Sequence, residues 1–311
     1  MPGIVIVSYP EDEHGTALER ELTDRKEDVF RVSLAELPKT HLTWELGTGL
    51  TVDGVEVRTA NWAGIWRRPG HADLVSMDPR FVEFADSESR DAFRGALFSL
   101  GISWINDPEV LWRAEHKILQ LETARRAGIR VPPTIVTNDP QVAERFARRE
   151  QVVIVKAVRY GLVATEPSPL VAWTSRVTPK DKFEFAGVPV LLQREVRAAE
   201  HIRVVTVGPK AFASRLEASE LDWRALPENA QRWQACIPQK LPSRLVTDAL
   251  HIATALGLGY TSQDWIVDRS GDALFLEANP NGQWLFLDET YNGAITAAIA
   301  DWLTARARGK G

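Results

Sequence analysis

Thiols are almost absent from this chain. A single cysteine, Cys236, stands among 311 residues, which excludes an internal disulfide and a cysteine-based zinc site, since both need several thiols. That thiol is expected to behave as a small buried hydrophobe. Long apolar runs are also missing, and no stretch approaches the ~20 residues that a membrane span requires. There is no basic surplus either: Lys and Arg total 37 against 42 Asp and Glu, a formal net charge of -5. Neutralising a phosphate backbone needs a concentrated basic surface, so neither nucleic acid nor membrane is an expected partner. The opening residues MPGIVIVSYPEDEHG have no basic leader region and turn acidic after one apolar run. They read as a first β-strand rather than a secretion signal, and a cytoplasmic protein is expected.

What is present suits an α/β enzyme. The length allows two or three packed subdomains, each with its own apolar centre. Ile4 to Val7 followed by helically spaced apolar residues over 16–25 reads as a β-α start. Strands are predicted at Val29 to Val32, at Leu50 to Val57 around an Asp53-Gly54 turn, and at Trp62 to Trp66, with a helix over 80–100. Asn106-Asp107-Pro108 then breaks regular structure and caps a helix over 109–127. The expected division is an N-terminal α/β domain over 1–106, a central α+β subdomain over 107–187 and a C-terminal catalytic subdomain over 188–311. Of the eleven tryptophans, most are expected in the core, with some free to line a peptide-binding surface.

The strongest chemical signal is a hairpin near the C-terminus. Asp264 sits on one strand, and Glu277-Ala278-Asn279-Pro280-Asn281-Gly282 leaves the other. Alternation points Glu277 and Asn279 to one face, so three oxygen donors converge at the edge of the apolar segments Trp265 to Val267 and Leu274 to Leu276. Hard oxygen donors with open positions suit Mg²⁺ bound to nucleotide phosphates. Lys156 ends the buried strand Val152 to Val155 and can present a point charge to phosphates. Gln193-Arg194-Glu195-Val196 ends another strand where two subdomains would join.

In the order Lys117, Lys156, Gln193 to Val196, His201-Ile202-Arg203-Val204, Asp264 and Glu277-Ala278-Asn279-Pro280, the chain resembles the ATP-grasp ligases. Trp66-Arg67-Arg68-Pro69, Asp222-Trp223-Arg224 and Asn279-Pro280-Asn281-Gly282-Gln283-Trp284 make it most similar to the graspetide synthetases. These microviridin-type maturases cross-link a ribosomal precursor peptide through side-chain esters or amides. The resemblance covers nearly the whole chain and implies the ATP-grasp fold, with ATP and two Mg²⁺ ions as cofactors. It implies ATP contacts for Lys117, Lys156, Gln193, Arg194, Glu195 and Val196, and a ribose contact for Glu200. Asp264, Glu277 and Asn279 would hold the metals, Arg215 would meet the transferring phosphate or the carboxylate, and Asp222 and Arg224 would serve the core-peptide site. Such synthetases are often dimers, so a homodimer is one assembly to expect.

Two departures stand out. His201 occupies a position that is acidic in many relatives, and only Gly161 stands in the loop after Lys156. Lid segments are expected near 161–176 and 214–226. The six histidines, His14, His41, His71, His116, His201 and His251, are expected to be structural, because no pair has ligand or dyad spacing. Two other readings stay open: an ATP-grasp ligase that acts on free amino acids or on a protein tail, and a non-catalytic nucleotide-binding or peptide-binding protein.

Overall fold

A computed structural model of the chain describes residues 3–57, 62–67, 70, 74, 77–158, 162–163, 170–171, 174–183, 187–216, 233–236 and 241–309. The chain folds as two compact units, residues 1–109 with 283–311, and residues 110–282.

The first unit opens with β1 (Gly3–Val7), α1 (Glu13–Asp24) and β2 (Asp28–Val32), followed by a small antiparallel sheet of β3 (Leu42–Glu45), β4 (Gly49–Val52) and β5 (Val55–Val57). β6 (Trp62–Trp66), α2 (Val82–Phe98) and β7 (Ser103–Trp104) continue it, and the main sheet is parallel in the order β2-β1-β6-β7. β1 and β6 are buried at every residue. A parallel strand covered on both faces requires continuous apolar side chains, which is why GIVIV and WAGIW do not alternate.

The second unit begins with α3 (Pro108–Ala114) and α4 (Lys117–Arg126). One helix is expected over 109–127, but the chain breaks at His116, whose backbone is extended. The break is held by the Gln120 side chain, which donates to the Ala114 carbonyl at 2.6 Å and so replaces a helical partner. Next come β8 (Thr134–Thr137), α5 (Pro140–Glu150), β9 (Val153–Lys156), β10 (Leu162–Val163), β11 (Leu170–Val171), β12 (Ser175–Val177) and β13 (Val190–Arg194). The Asp139 carboxylate caps α5 by accepting from the Gln141 and Val142 amides. β12, β9, β13 and β8 form one antiparallel sheet.

A second antiparallel sheet follows. β14 (Ala198–Val207), β15 (Lys210–Leu216) and β16 (Gln234–Ala235) precede α6 (Leu245–Ala255), and β17 (Tyr260–Asp268) and β18 (Ala273–Asn279) close it in the order β16-β15-β14-β17-β18. One face of this sheet, through Ile202, Val204, Trp265, Val267 and Phe275, packs with Leu245, Ala249 and Ile252 of α6 into the unit's core. The expected lid segments lie largely outside the described residues, as do Arg68, Pro69, His71, Gly161, Asp222, Trp223 and Arg224.

The chain then returns to the first unit with α7 (Leu285–Asp288) and α8 (Ala294–Ala307), and α8 packs on α1, β1 and β6. A buried polar network ties these parts together. The Asp12 carboxylate accepts from Ser8 Oγ at 2.8 Å and lies 3.6 Å from both Arg67 Nε and His14 Nδ1. His14 Nε2 accepts from the Trp284 amide at 3.1 Å, and the Arg67 guanidinium stacks 4.6 Å from the Trp284 ring. Two sequence elements far apart in the chain, Trp66-Arg67 and Gln283-Trp284, thus meet inside one unit.

Burial alone would raise the Asp12 pKa, but the His14 hydrogen bond, the Arg67 charge and the Ser8 hydroxyl outweigh it and hold the carboxyl well below the usual carboxylate range. A depressed folded pKa stabilises above the unfolded value of about 3.9 and is lost as pH falls through the folded one. Asp12→Asn should therefore cost about 3 kcal/mol at neutral pH, with the gap to wild type narrowing once pH drops below about 4. Urea denaturation across this range measures it, and a pH-independent gap would contradict the ionised assignment.

Candidate active site

The site is built on the face of the five-stranded sheet that points away from α6. Paired residues on antiparallel strands project to the same side. The register aligns Ser214 of β15 with Arg203 of β14, Arg203 with Asp264 of β17, and Asp264 with Glu277 of β18. The next row on this face carries Ser262 opposite Asn279. The three oxygen donors expected from the hairpin are therefore brought together, with Asp264 directly across from Glu277.

A bulge between Asp264 and Trp265 makes this compatible with the core. Beyond it Trp265 faces Phe275, the rings meeting edge to face at 5.3 Å inside the apolar cluster. The extra residue, Leu276, is turned into a neighbouring cavity.

Both carboxylates carry cationic partners. Arg203 Nη1 donates to Asp264 Oδ1 at 2.5 Å, and Arg203 Nε donates to Ser262 Oγ at 2.7 Å. Lys117 Nζ lies 3.2 Å from Glu277 Oε2 and 3.4 Å from the Ala157 carbonyl, the residue after Lys156. Two carboxylates and one amide oxygen on a rigid hairpin fit a hard divalent cation that completes its shell with phosphate oxygens. No cluster of three or more His, Cys, Asp or Glu able to hold a metal occurs among the described residues.

On the same sheet face, one step further along the strands, lies a cavity of about 670 Å³ whose walls include Ile154, Lys156, Gln193, His201, Ile266 and Leu276. Its walls come from both sheets of the second unit. That size is ordinary for a small-molecule site, and apolar walls with a few polar groups are the usual lining. Lys156 Nζ donates to Gln193 Oε1 at 3.2 Å, and Gln193 Nε2 donates to Thr134 Oγ1 at 2.9 Å. Arg194, Glu195 and Val196 also line it. The amides of Arg194 and Glu195 are committed to the carbonyls of Pro133 and Val152. Glu195 is held by Arg176 through two bonds of 2.5 and 2.7 Å, which keep its carboxyl below the ordinary range.

The strand register puts Glu200 and Arg215 on the other face. Glu200 pairs with Arg215 at 3.4 Å, and Arg215 lies opposite Ile202. Both thus occupy the core-side face, away from Asp264. A bulge between Ala198 and Glu200 sets this phase, so His201, expected to be structural, lines the cavity in place of Glu200. Cys236 packs at the rim of the core beside this pair; burial pushes its thiol up to about 11, with smaller opposing effects of Arg215 and Glu200.

Sequence reasoning gave no role to Arg203, Ser214, Gln120 or Gly282. Arg203 and Gly282 stood inside quoted motifs without a role of their own, and the alternation of β14 puts His201 and Arg203 on one face. Gln120 is buried and binds β18 with both ends of its amide: Nε2 donates to the Ala278 carbonyl at 2.6 Å and Oε1 accepts from the Ala278 amide at 2.9 Å. It fixes the helix that carries Lys117 against the strand that carries Glu277. At Gly282 a Cβ would stand 2.4 Å from Ser262 Cβ, so no side chain fits there without moving Ser262.

No protein-family model matches the chain, and no curated protein does. Solved structures do. A RiPP-associated ATP-grasp ligase from Chryseobacterium gregarium, in complex with ADP and a leader and core peptide, superposes with a TM-score of 0.88 at 24% identity, covering 97% of this chain and 96% of that one. This chain has the ATP-grasp fold. The macrocyclase MdnB from Microcystis aeruginosa MRC matches at TM-score 0.77 and 25% identity over 97% and 99% of the two chains. The ATP-grasp ligase PsnB, complexed with a minimal precursor, Mg and ADP, matches at TM-score 0.78 and 23% identity over 98% of each. The expected fold is borne out along nearly the full length.

The pairing of Lys117 with Glu277 depends on how Gln120 seats α4 on β18. Gln120→Leu would strand both polar groups of Ala278 and the Ala114 carbonyl, at a cost of about 3 kcal/mol. That corresponds to roughly 6–12 °C in Tm. Thermal unfolding checks this, and an unchanged Tm would show that the bridge carries no weight.

Proposed function

We propose that the chain is an ATP-dependent carboxylate ligase that cross-links a ribosomally made precursor peptide. It activates Asp or Glu side chains as acyl phosphates and joins them to Ser or Thr hydroxyls or to Lys amines. The observation that carries this reading is the row Arg203, Asp264 and Glu277, with Lys117 at its end and a nucleotide-sized cavity on the same face. A pure binding module has no need of so complete a set of phosphate and metal groups. The structures similar to this one include complexes of such ligases with ADP, Mg and precursor peptides, which supports the same partners here.

In this reading the adenine lies between Ile154 and Ile266, read by backbone groups near Val196, and the ribose meets His201. Lys156 and Lys117 receive the phosphates as point charges. Asp264, Glu277 and Asn279 would hold Mg²⁺, which when bound neutralises charge on the phosphate oxygens. A carboxylate oxygen of the peptide attacks the γ-phosphorus, the bond to the β,γ-bridging oxygen breaks, and ADP leaves. The hydroxyl or amine then attacks the acyl carbon, loses its proton, and expels inorganic phosphate. Each cross-link removes one water overall. We further place the leader away from the chemistry, in an extended groove of the central subdomain, and Asp222 and Arg224 at the core peptide. The division at 106 and 187, a homodimer and a cytoplasmic location belong to the same proposal. No described helix is long and apolar enough to cross a membrane.

The test uses a short peptide encoded beside this chain, with Thr, Ser or Lys facing Asp or Glu, incubated with Mg·ATP. ADP and phosphate should form, with loss of one water per bond, while free amino acids yield nothing. Glu277→Gln should slow turnover by about a hundredfold or more, roughly 3 kcal/mol of lost transition-state stabilisation. AMP and pyrophosphate as main products would refute the mechanism, and modification of free amino acids would favour the rival ligase reading.

A further inference from the structure

Of the three oxygen donors on the hairpin, Asn279 has the least support from its neighbours. Asp264 and Glu277 are held by Arg203 and Lys117, whereas Asn279 is exposed at the end of β18. What orients it is the turn that it begins. Asn279 Oδ1 accepts from the Asn281 amide at 2.9 Å, and the Asn279 carbonyl accepts from the Gly282 amide at 3.3 Å. Asn, Pro and Gly at the first, second and fourth positions suit a tight turn of this kind. A carboxamide oxygen has two lone pairs, so one is used by the turn and the other can meet a cation.

This turn is only as well placed as its far end, and that end is anchored twice. In the second unit the Gly282 carbonyl accepts from the buried Tyr260 hydroxyl at 2.9 Å. Gly282 also packs on Ser262, the residue opposite Asn279. The chain then passes into the first unit at Gln283, and the next residue, Trp284, is fully buried there. Its ring donates to Thr296 Oγ1 at 2.9 Å, beside the Arg67 guanidinium. Its backbone is fixed by one atom: His14 Nε2 accepts from the amides of Trp284 and Leu285 at 3.1 and 3.4 Å. These amides open α7, where a helix has no carbonyl of its own to offer them.

A ring nitrogen that accepts carries no proton, so the His14 proton sits on Nδ1, on the side of the Asp12 carboxylate. Asp12 therefore sets both the orientation and the tautomer of the imidazole. Only Gln283 separates the Tyr260 anchor from the His14 anchor. A shift of the Trp284 backbone is thus passed directly to Gly282 and to the Asn281 amide that aims the Asn279 oxygen. The network gives the Trp66-Arg67 and Gln283-Trp284 elements, which the chemistry leaves without a task, a common one.

We infer that His14 is a positioning residue for the metal site: held in one tautomer by Asp12, it anchors Trp284 and thereby fixes the Asn279 oxygen at the other end of the segment. This rests on the ligase reading above, in which Asn279 is a Mg²⁺ ligand. Groups that orient a metal ligand from outside the coordination shell are typically worth about 10–100-fold in metal affinity.

The experiment is calorimetric titration of the full chain with ADP, once in Mg²⁺ and once in EDTA, for wild type, His14→Phe, His14→Gln and Tyr260→Phe, with the Tm of each. His14→Phe keeps a ring against Trp284 but removes the acceptor. It should weaken ADP binding in Mg²⁺ about tenfold or more and leave binding in EDTA within about threefold. His14→Gln returns an acceptor oxygen and should recover most of the loss. Tyr260→Phe releases the same segment from its other end and should show the same Mg²⁺-selective defect, which carries the test if His14→Phe does not fold. Lower Tm with intact Mg²⁺-dependent binding would mean that the network serves only the fold, and would overturn the assignment. Equal losses in Mg²⁺ and in EDTA would overturn it too, as would a His14→Gln protein no better than His14→Phe. If wild type binds ADP no more tightly in Mg²⁺ than in EDTA, or does not bind it, the ligase reading itself fails.

Discussion

The site depends on the pairing register of β17 with β18. Asp264 stands opposite Glu277 and Ser262 opposite Asn279, so that three oxygen donors share one face of the sheet. A slip of one residue would send Glu277 into the apolar cluster and Ala278 out of it. Burying an ionised carboxylate without its partner costs several kcal/mol, and that penalty locks the register. The bulge after Asp264 lets the hairpin meet two demands at once. It keeps the polar row intact while Trp265 and Phe275 remain packed in the core.

From this hairpin the second unit divides its labour by face. The core side of the sheet takes α6 and the aliphatic cluster. The other side presents polar side chains in rows, and the cavity opens beside them. Side chains from three separate elements reach these rows: Lys117 from α4, Lys156 from β9 and Arg203 from β14. Each is held by a protein group before any ligand arrives, through Glu277, Gln193 and Asp264 respectively. Preorganised charge of this kind needs no rearrangement at the moment of phosphoryl transfer, which is where electrostatic catalysis gains its strength. The first unit carries a different buried network, centred on Asp12, His14, Arg67 and Trp284, and it joins a β-strand exit to the start of α7.

The hairpin that brings Asp264 and Glu277 together was legible in the sequence because its information is local. Apolar alternation, the Asp268 to Asp272 turn and the Glu277-Ala278-Asn279 spacing all lie within twenty residues. The strand ending at Lys156 was readable for the same reason. Arg203 was quoted in a motif but given no role, because its place in the row comes from lateral pairing with a strand about sixty residues away. Glu200 and His201 exchanged places for a related reason: the bulge at Ala198 shifts the phase of β14, and nothing in the local composition announces it. The helix over 109–127 failed on tertiary grounds, since Gln120 bonds to Ala114 and Ala278 and rewards a break that local propensity does not ask for.

The central claim is that a peptide carboxylate attacks the γ-phosphorus in the Asp264 and Glu277 row. It is tested most directly by labelling the Asp and Glu carboxylates of the substrate peptide with ¹⁸O and following the label through one round of cross-linking. An acyl phosphate intermediate delivers one carboxylate oxygen to inorganic phosphate, so each bond formed should release one ¹⁸O-labelled phosphate alongside unlabelled ADP. Label in AMP, or phosphate that carries none, would contradict the account.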